Sequence, residues 1–390
     1  MKLHKKIEKL VGIYEASIRD AFLSAIADIS NRAILSEIIE SIESGDIERA
    51  IRSLGLTDSA FRSIISEIER AFEVGGVTTG ESFPKILTTP TGRTVFRFDV
   101  RNSRAEAWLR DKSSTLVTSV AETTRATVRQ TLQRGMAEGV NPRTTALDLV
   151  GRIDRPTGRR VGGVIGLTPQ QESWVANTGR DLRAINDLIE LRASALQAGN
   201  VKEAQRLFEK IENHQYFRRD LRAKSGDKVI LNSARNGEKL NTDSIQKLKT
   251  QYESNALRYR GEVIGRTESI ASLNRSEHEA IKQAVDMGAV RSSAVKRVWD
   301  SAGNDGRTRE SHLKMEGQTV GLDEPFTFPD GSKAMFPGDN SLGAPGDELI
   351  QCRCIARTEI DWLAGARDVV NEKDRAALLA LSDAELTGGR

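Results

Sequence analysis

The feature that most constrains this chain is apolar residues recurring at steps of three and four over long stretches without proline. In residues 3–30, Leu3, Ile7, Leu10, Val11, Tyr14, Ile18, Phe22, Ile26 and Ile29 share one side of a helical wheel, which predicts a long amphipathic helix. Between Asn102 and Met136 there is no proline, and glycine enters only at Gly135. Trp108, Leu109, Leu116, Val120, Val128, Leu132 and Met136 keep the same spacing there, and a helix of about 35 residues would reach roughly 50 Å. Shorter helices are expected around Leu35–Ile42 and Ile47–Leu54. Another, capped by Thr57 or Asp58, runs through Phe72 to an end at Gly75-Gly76. Asn141-Pro142 reads as an N-cap with proline in the first turn, opening a helix to Val150. Thr168-Pro169 opens the next, through Trp174, Leu182, Ile185, Leu188, Ile189 and Leu196. Residues 200–240 read as polar and glycine-punctuated, and Thr242 or Asp243 begins a further helical run ending near Met287.

At Gly288 the texture changes. Val295–Trp299 alternates like a strand, Asn304-Asp305-Gly306 is a turn, and 308–316 reads as a short helix. Phe326–Phe328 and Ala334–Phe336 flank Asp330-Gly331, a hairpin signal, and Cys352–Ile360 reads as another strand. The expected fold class is therefore mainly α: a long-helix bundle with a small, turn-rich α+β module at its C-terminal side. The linear division is an N-terminal helical domain over 1–76, a linker or extended arm over 77–101, the long-helix bundle over 102–287, the α+β module over 288–362, and a tail helix over 363–390.

The 390 residues carry 58 basic and 55 acidic side chains, a net charge of +3. That balance excludes a polycationic DNA-coating protein but not a local basic patch. No segment reaches the ~18 consecutive apolar residues needed to span a bilayer. The basic opening lacks the apolar core of a secretory signal, so a cytosolic origin is expected. With only Cys352 and Cys354, a disulfide framework is excluded by count, and a bond between two cysteines this close is geometrically awkward.

The C-terminal module carries a series of ordered motifs. Val298-Trp299-Asp300-Ser301-Ala302 is followed by Asp305-Gly306-Arg307-Thr308-Arg309-Glu310-Ser311-His312. Glu316-Gly317-Gln318-Thr319-Val320, Phe336-Pro337-Gly338-Asp339 and Cys352-Arg353-Cys354 come next, and Ile264-Gly265-Arg266-Thr267-Glu268-Ser269 leads into the module. Together these resemble the phage head morphogenesis family typified by protein F of phage Mu, over roughly residues 264–362. The resemblance implies a structural minor capsid protein, present in few copies and assembled in the host bacterial cytoplasm. It would sit in the capsid interior near the portal vertex, with the portal protein and the major capsid or scaffolding protein as partners. Double-stranded DNA is a further partner in some members, at packaging or ejection. The motif positions Arg266, Glu268, Trp299, Asp300, Asp305, Arg307, Arg309, His312, Gly317, Pro337, Gly338 and Arg353 are then expected to build the module.

Four groups could carry chemistry. His312, Cys352 and Cys354 offer three good zinc ligands, with His278, Asp300 or Asp339 as a possible fourth, and a small turn-rich module would gain from a metal staple. The plain alternative is two cysteines packed as small apolar residues beside an ordinary histidine. Arg307, Arg309 and His312, with Arg353, could form a cationic pocket, or could pair internally with Asp305, Glu310, Glu348 or Glu359. Arg266-Thr267-Glu268 could supply a general acid or base, or an inter-domain salt bridge. Arg152, Arg155, Arg159 and Arg160 in a glycine-rich loop, with Arg218, Arg219, Arg222 and Lys224, suit phosphate contacts or solvated surface. No G-x-S-x-G, P-loop, G-x-G-x-x-G or H-E-x-x-H occurs. The leading expectation is a structural protein and not an enzyme. A metal-dependent nuclease or hydrolase centred on His312 and a non-specific DNA-binding packaging accessory stand as alternatives.

Overall fold

The computed structural model describes residues 2–218, 226–303 and 305–362. The expected tail helix over 363–390, and Arg219, Arg222 and Lys224, lie outside the described residues. The chain is mainly helical. In order it forms α1 (Leu3–Arg32), α2 (Leu35–Glu43), α3 (Ile47–Ser53), α4 (Arg62–Gly80), β1 (Leu87–Thr89), β2 (Gly92–Thr94), α5 (Ser103–Ala137), α6 (Pro142–Val150), β3 (Arg152–Ile153) and β4 (Arg160–Val161). Then follow α7 (Pro169–Gln197), α8 (Val201–Glu212), α9 (Asp227–Asn236), α10 (Thr242–Asp286), β5 (Val295–Asp300), α11 (Glu310–Lys314), β6 (Thr319–Gly321), β7 (Phe326–Thr327), β8 (Lys333–Ala334), α12 (Gly346–Leu349) and β9 (Ile355–Ile360). No helix among the described residues is long and apolar enough to cross a membrane.

Two compact units share the chain. One comprises Met1–Ile18, Ser66–Asp111 and Val263–Arg390, the other Arg19–Ile65 and Lys112–Glu262. Each is discontinuous in sequence, whereas the linear reading divides the chain at 76, 101, 287 and 362.

In the unit that holds the C-terminal module, Gly75 and Gly76 do not end α4, which continues to Gly80. The glycines serve close packing instead. A Cβ on Gly75 would lie 2.2 Å from the Ser276 hydroxyl of α10, and one on Gly76 would lie 2.2 Å from the Phe98 ring. The stretch expected as a linker is likewise structured. β1 and β2 pair as an antiparallel hairpin. Phe83, Leu87 and Phe96 are buried with Ala280, Ile281, Ala284, Val290, Val295 and Leu322, so apolar burial offsets the cost of ordering a Thr/Gly/Pro-rich segment.

The other unit holds an apolar cluster of Leu182, Ile185, Ile189, Ile211, Tyr216, Ile230, Ala234, Leu240 and Leu248. The polar stretch after residue 200 contributes α8 and α9 to it. Asn200 caps α8 by accepting from the Glu203 amide at 3.1 Å, and Ala204, Leu207 and Ile211 face inward. α7 opens with a full capping box between Thr168 and Gln171. The glycine-rich basic loop is an ordered hairpin in which Arg152 pairs with Val161 and Ile153 with Arg160. It is anchored by Glu253 of α10, 1% exposed, which accepts from the Gly163 amide at 2.9 Å. Gly163 holds φ at +82°, and a Cβ there would meet the Gly151 amide nitrogen at 2.5 Å, so the close approach requires glycine.

Burial pushes the Glu253 carboxyl up to about 7, against the pull of Lys249. The folded state therefore holds this proton more tightly than the unfolded chain does, and the unit loses stability as pH rises from about 4.5 to about 7. Glu253→Gln keeps an acceptor for Gly163 and is expected to remove that slope. Urea unfolding of the variant should show a gain on the order of 1–3 kcal/mol at pH 8 and little change at pH 4.

Candidate metal centre

The C-terminal module is built on a three-stranded antiparallel sheet in the order β6-β5-β9. In the central strand the alternation of Val295, Arg297 and Trp299 sets all three on the inner face, each 1% exposed. Arg297 is the unexpected member. Its guanidinium donates to the Gly321 carbonyl at 2.9 and 3.1 Å and to the carbonyls of Met335 and Glu324. A single fork thus satisfies backbone oxygens of two separate turns, and its plane lies over the Phe326 ring at 5.3 Å. Trp299 packs edge-on against Phe326, Phe328 and His312. Its backbone is clamped by the Gln318 carbonyl and the Gly317 amide, with Gly317 at φ +76°.

His312 sits in the single turn of α11, and its ring is 1% exposed, as are both cysteines. Its Nδ1 lies 3.3 Å from the Cys354 Sγ and 3.7 Å from the Cys352 Sγ. Its Nε2 lies 3.0 Å from the Glu348 carboxylate, which also accepts from the Ser311 hydroxyl at 2.8 Å. The expected strand over Cys352–Ile360 begins only at Ile355, because Cys352–Cys354 turns back on itself and the Cys354 amide donates to the Cys352 sulfur at 3.4 Å. Gln351, just before this turn, adopts φ +59° and donates its amide to the Thr267 hydroxyl at 3.0 Å. The cysteines are free thiols. Cys354 stabilises the Cys352 thiolate and lowers that thiol, while Cys352 and burial push the Cys354 thiol far up.

The donor atoms of His312, Cys352 and Cys354 all lie within 4.8 Å of one another, and among the described residues this group has three members. None of the three suggested fourth ligands joins it. The Asp339 carboxylate accepts from the Met335 and Ser341 amides and the Ser341 hydroxyl. His278 packs edge-on against Phe336 and is held well below the ordinary histidine value, first by burial and then by nearby guanidinium charge. Asp300 is half-buried at the end of β5.

The remaining motif residues brace the same module. Arg353 forks onto Asp305 with two bonds of 2.7 Å, and this holds the Asp305 carboxyl well below its usual range. Arg309 donates to the Ile350 carbonyl, and Arg307 is largely exposed, 3.5 Å from Asp305. These cations meet partners within the module and do not converge on an open pocket. Arg266 binds Glu15 of α1 bidentately at 2.7 and 3.0 Å, and Glu268 is buried. Pro337 and Gly338 are buried. Gly338 has φ +87°, and a Cβ there would lie 3.0 Å from the Ala271 backbone of α10.

The residues expected to contact phosphate divide differently. Arg152 pairs with Asp148 at 3.0 Å and Arg160 donates to the Gly151 carbonyl at 3.0 Å. Both are turned into their own unit, whereas Arg155 and Arg159 are exposed. Arg218 ends a 3-10 turn spanning Gln215–Arg218.

Comparison with known proteins gives one similarity. The chain is 28% identical over 135 residues to the uncharacterized protein YqbB of Bacillus subtilis (strain 168), a match over 34% of this chain and 40% of YqbB. It thus covers less than half the length of that relative. No family model and no solved structure matches the chain.

Arg297 is the site residue for which the sequence offered no role, whereas Glu348, one of the carboxylates expected to pair internally with the Arg307, Arg309 and His312 group, lies beside His312. Strand alternation placed Arg297 on the face of Trp299, a readable signal masked by the habit of assigning arginine to the surface. Arg297→Met would strip the donor from three backbone carbonyls. It is expected to lower the stability of this unit by about 2–4 kcal/mol in urea unfolding, with Arg297→Lys intermediate.

Proposed function

We propose that the chain is a minor head protein of a tailed bacteriophage. In this reading it binds the portal and the inner capsid in few copies while the procapsid assembles in the host cytoplasm, and remains near the portal vertex of the virion. The observation that supports this reading is convergence. The motif elements that resemble the head morphogenesis family are scattered over residues 264–362, yet they contact one another within one small module. Thr267 holds the turn before Cys352, Asp305 grips Arg353, and Trp299 packs on His312. Residues that build a scaffold are expected to touch one another, whereas residues that carry catalysis must leave an opening to substrate. A nuclease centred on His312 would have to bring a phosphodiester to a ring that is 1% exposed.

Contact with DNA is a secondary part of the proposal, favoured by the exposed Arg155 and Arg159 on the β3–β4 hairpin. Such contacts would be phosphate-directed and salt-dependent, without sequence reading.

Mixing the purified chain with the portal protein encoded by the same genome, followed by size-exclusion with mass determination, is expected to give a defined complex. Two folded proteins that elute separately would contradict portal docking.

A further inference from the structure

We propose that His312, Cys352 and Cys354 form a zinc site that fastens α11 to the Cys352–Cys354 turn. The inference stands on geometry and is independent of any role in a virion. With Zn–S of about 2.3 Å and Zn–N of about 2.0 Å, tetrahedral ligation puts sulfur and nitrogen roughly 3.5 Å apart. The His312 Nδ1 lies 3.3 and 3.7 Å from the two sulfurs, and all three donor atoms fall within 4.8 Å of one another.

Three further observations favour a metal over simple packing. Thiols are weak hydrogen-bond partners, so without an ion the buried Nδ1 of His312 faces two sulfurs that satisfy it poorly. On the far side of the ring, Nε2 is backed by the Glu348 carboxylate at 3.0 Å, itself held by Ser311. The contact is one of distance, without hydrogen-bond geometry, and it places a carboxylate beside the imidazole, where metal-bound histidines commonly hold one. The cysteines also sit on one tight turn whose first amide is fixed by Thr267, so both sulfurs are placed before an ion arrives.

Two thiolates and one imidazole leave a single tetrahedral position. It falls to water or a backbone oxygen, since no other side-chain donor among the described residues joins the group. Enclosure by Trp299 and Phe328 makes this a structural site that closes a loop of 40 residues between His312 and Cys352 and restricts the unfolded chain as a cross-link does.

The test uses the full chain, purified without a histidine tag and under reducing conditions. Elemental analysis is expected to find about one zinc per chain. Exchange with Co2+ should give the thiolate-to-cobalt charge-transfer band and the visible bands of a tetrahedral site, and removal with a strong chelator should lower Tm. Cys352→Ser, Cys354→Ser and His312→Ala should each abolish stoichiometric metal. Because these variants could fail to fold, the wild-type cobalt spectrum and a thiol titration decide independently. A folded, reduced wild-type chain with two titratable thiols, substoichiometric zinc and no thiolate–cobalt band would overturn the proposal. So would zinc retained unchanged in folded Cys352→Ser or Cys354→Ser.

Discussion

The C-terminal module depends on its seating against the second half of α10. Its strands are two to six residues long, and a small sheet gains stability by packing an apolar face against a helix. α10 supplies what they lack. Ile270 enters the same apolar cluster as Trp299, Phe326 and Phe328, the Asn274 side chain accepts from the Ala356 amide at 3.0 Å, and Ala271 leaves room for Gly338. Backbone groups that short strands would leave unpaired are taken up by side chains instead, chiefly by Arg297. A module of this kind is specified as much by satisfied polar groups as by its modest apolar core.

That dependence explains how the motif residues relate to one another. Arg353 with Asp305, His312 with Glu348, and Thr267 with the Gln351 amide are contacts between segments far apart in sequence. Each fixes one turn against another, so replacing one partner disturbs a network and not a single bond. Buried carboxylates occur in both units. Burial raises Glu277 to about 7, as it does Glu253, so each unit carries an acid that prefers its proton when folded.

Much of the fold was legible because helical periodicity is a strong signal over long segments. α6 and α7 begin where Asn141-Pro142 and Thr168-Pro169 indicated, α5 begins one residue after Asn102, and α10 begins at Thr242, one of its two expected openings. The misreadings have local causes. Gly75 and Gly76 carried a stop signal, yet glycine also permits close helix contact, and only the neighbours Ser276 and Phe98 distinguish the two. α8 was diluted by polar residues although Ala204, Leu207 and Ile211 kept the helical spacing. The Arg152–Arg160 segment read only as a glycine-rich basic loop because the anchor that orders it, Glu253, lies 90 residues from Gly163. For the candidate metal centre, His312, Cys352 and Cys354 were readable as a set, and Glu348 was readable only as one of four carboxylates that could pair with the Arg307, Arg309 and His312 group, since nothing in its local sequence singles it out.

The most direct test of this account is native-state hydrogen exchange resolved by residue. If the module is seated on α10 as one cooperative body, the amides of Val295–Asp300 and Ile355–Ile360 should open with the same free energy as those of residues 270–284 in α10. Strand amides that exchange near the rate of unstructured peptide, while residues 270–284 stay protected, would contradict it.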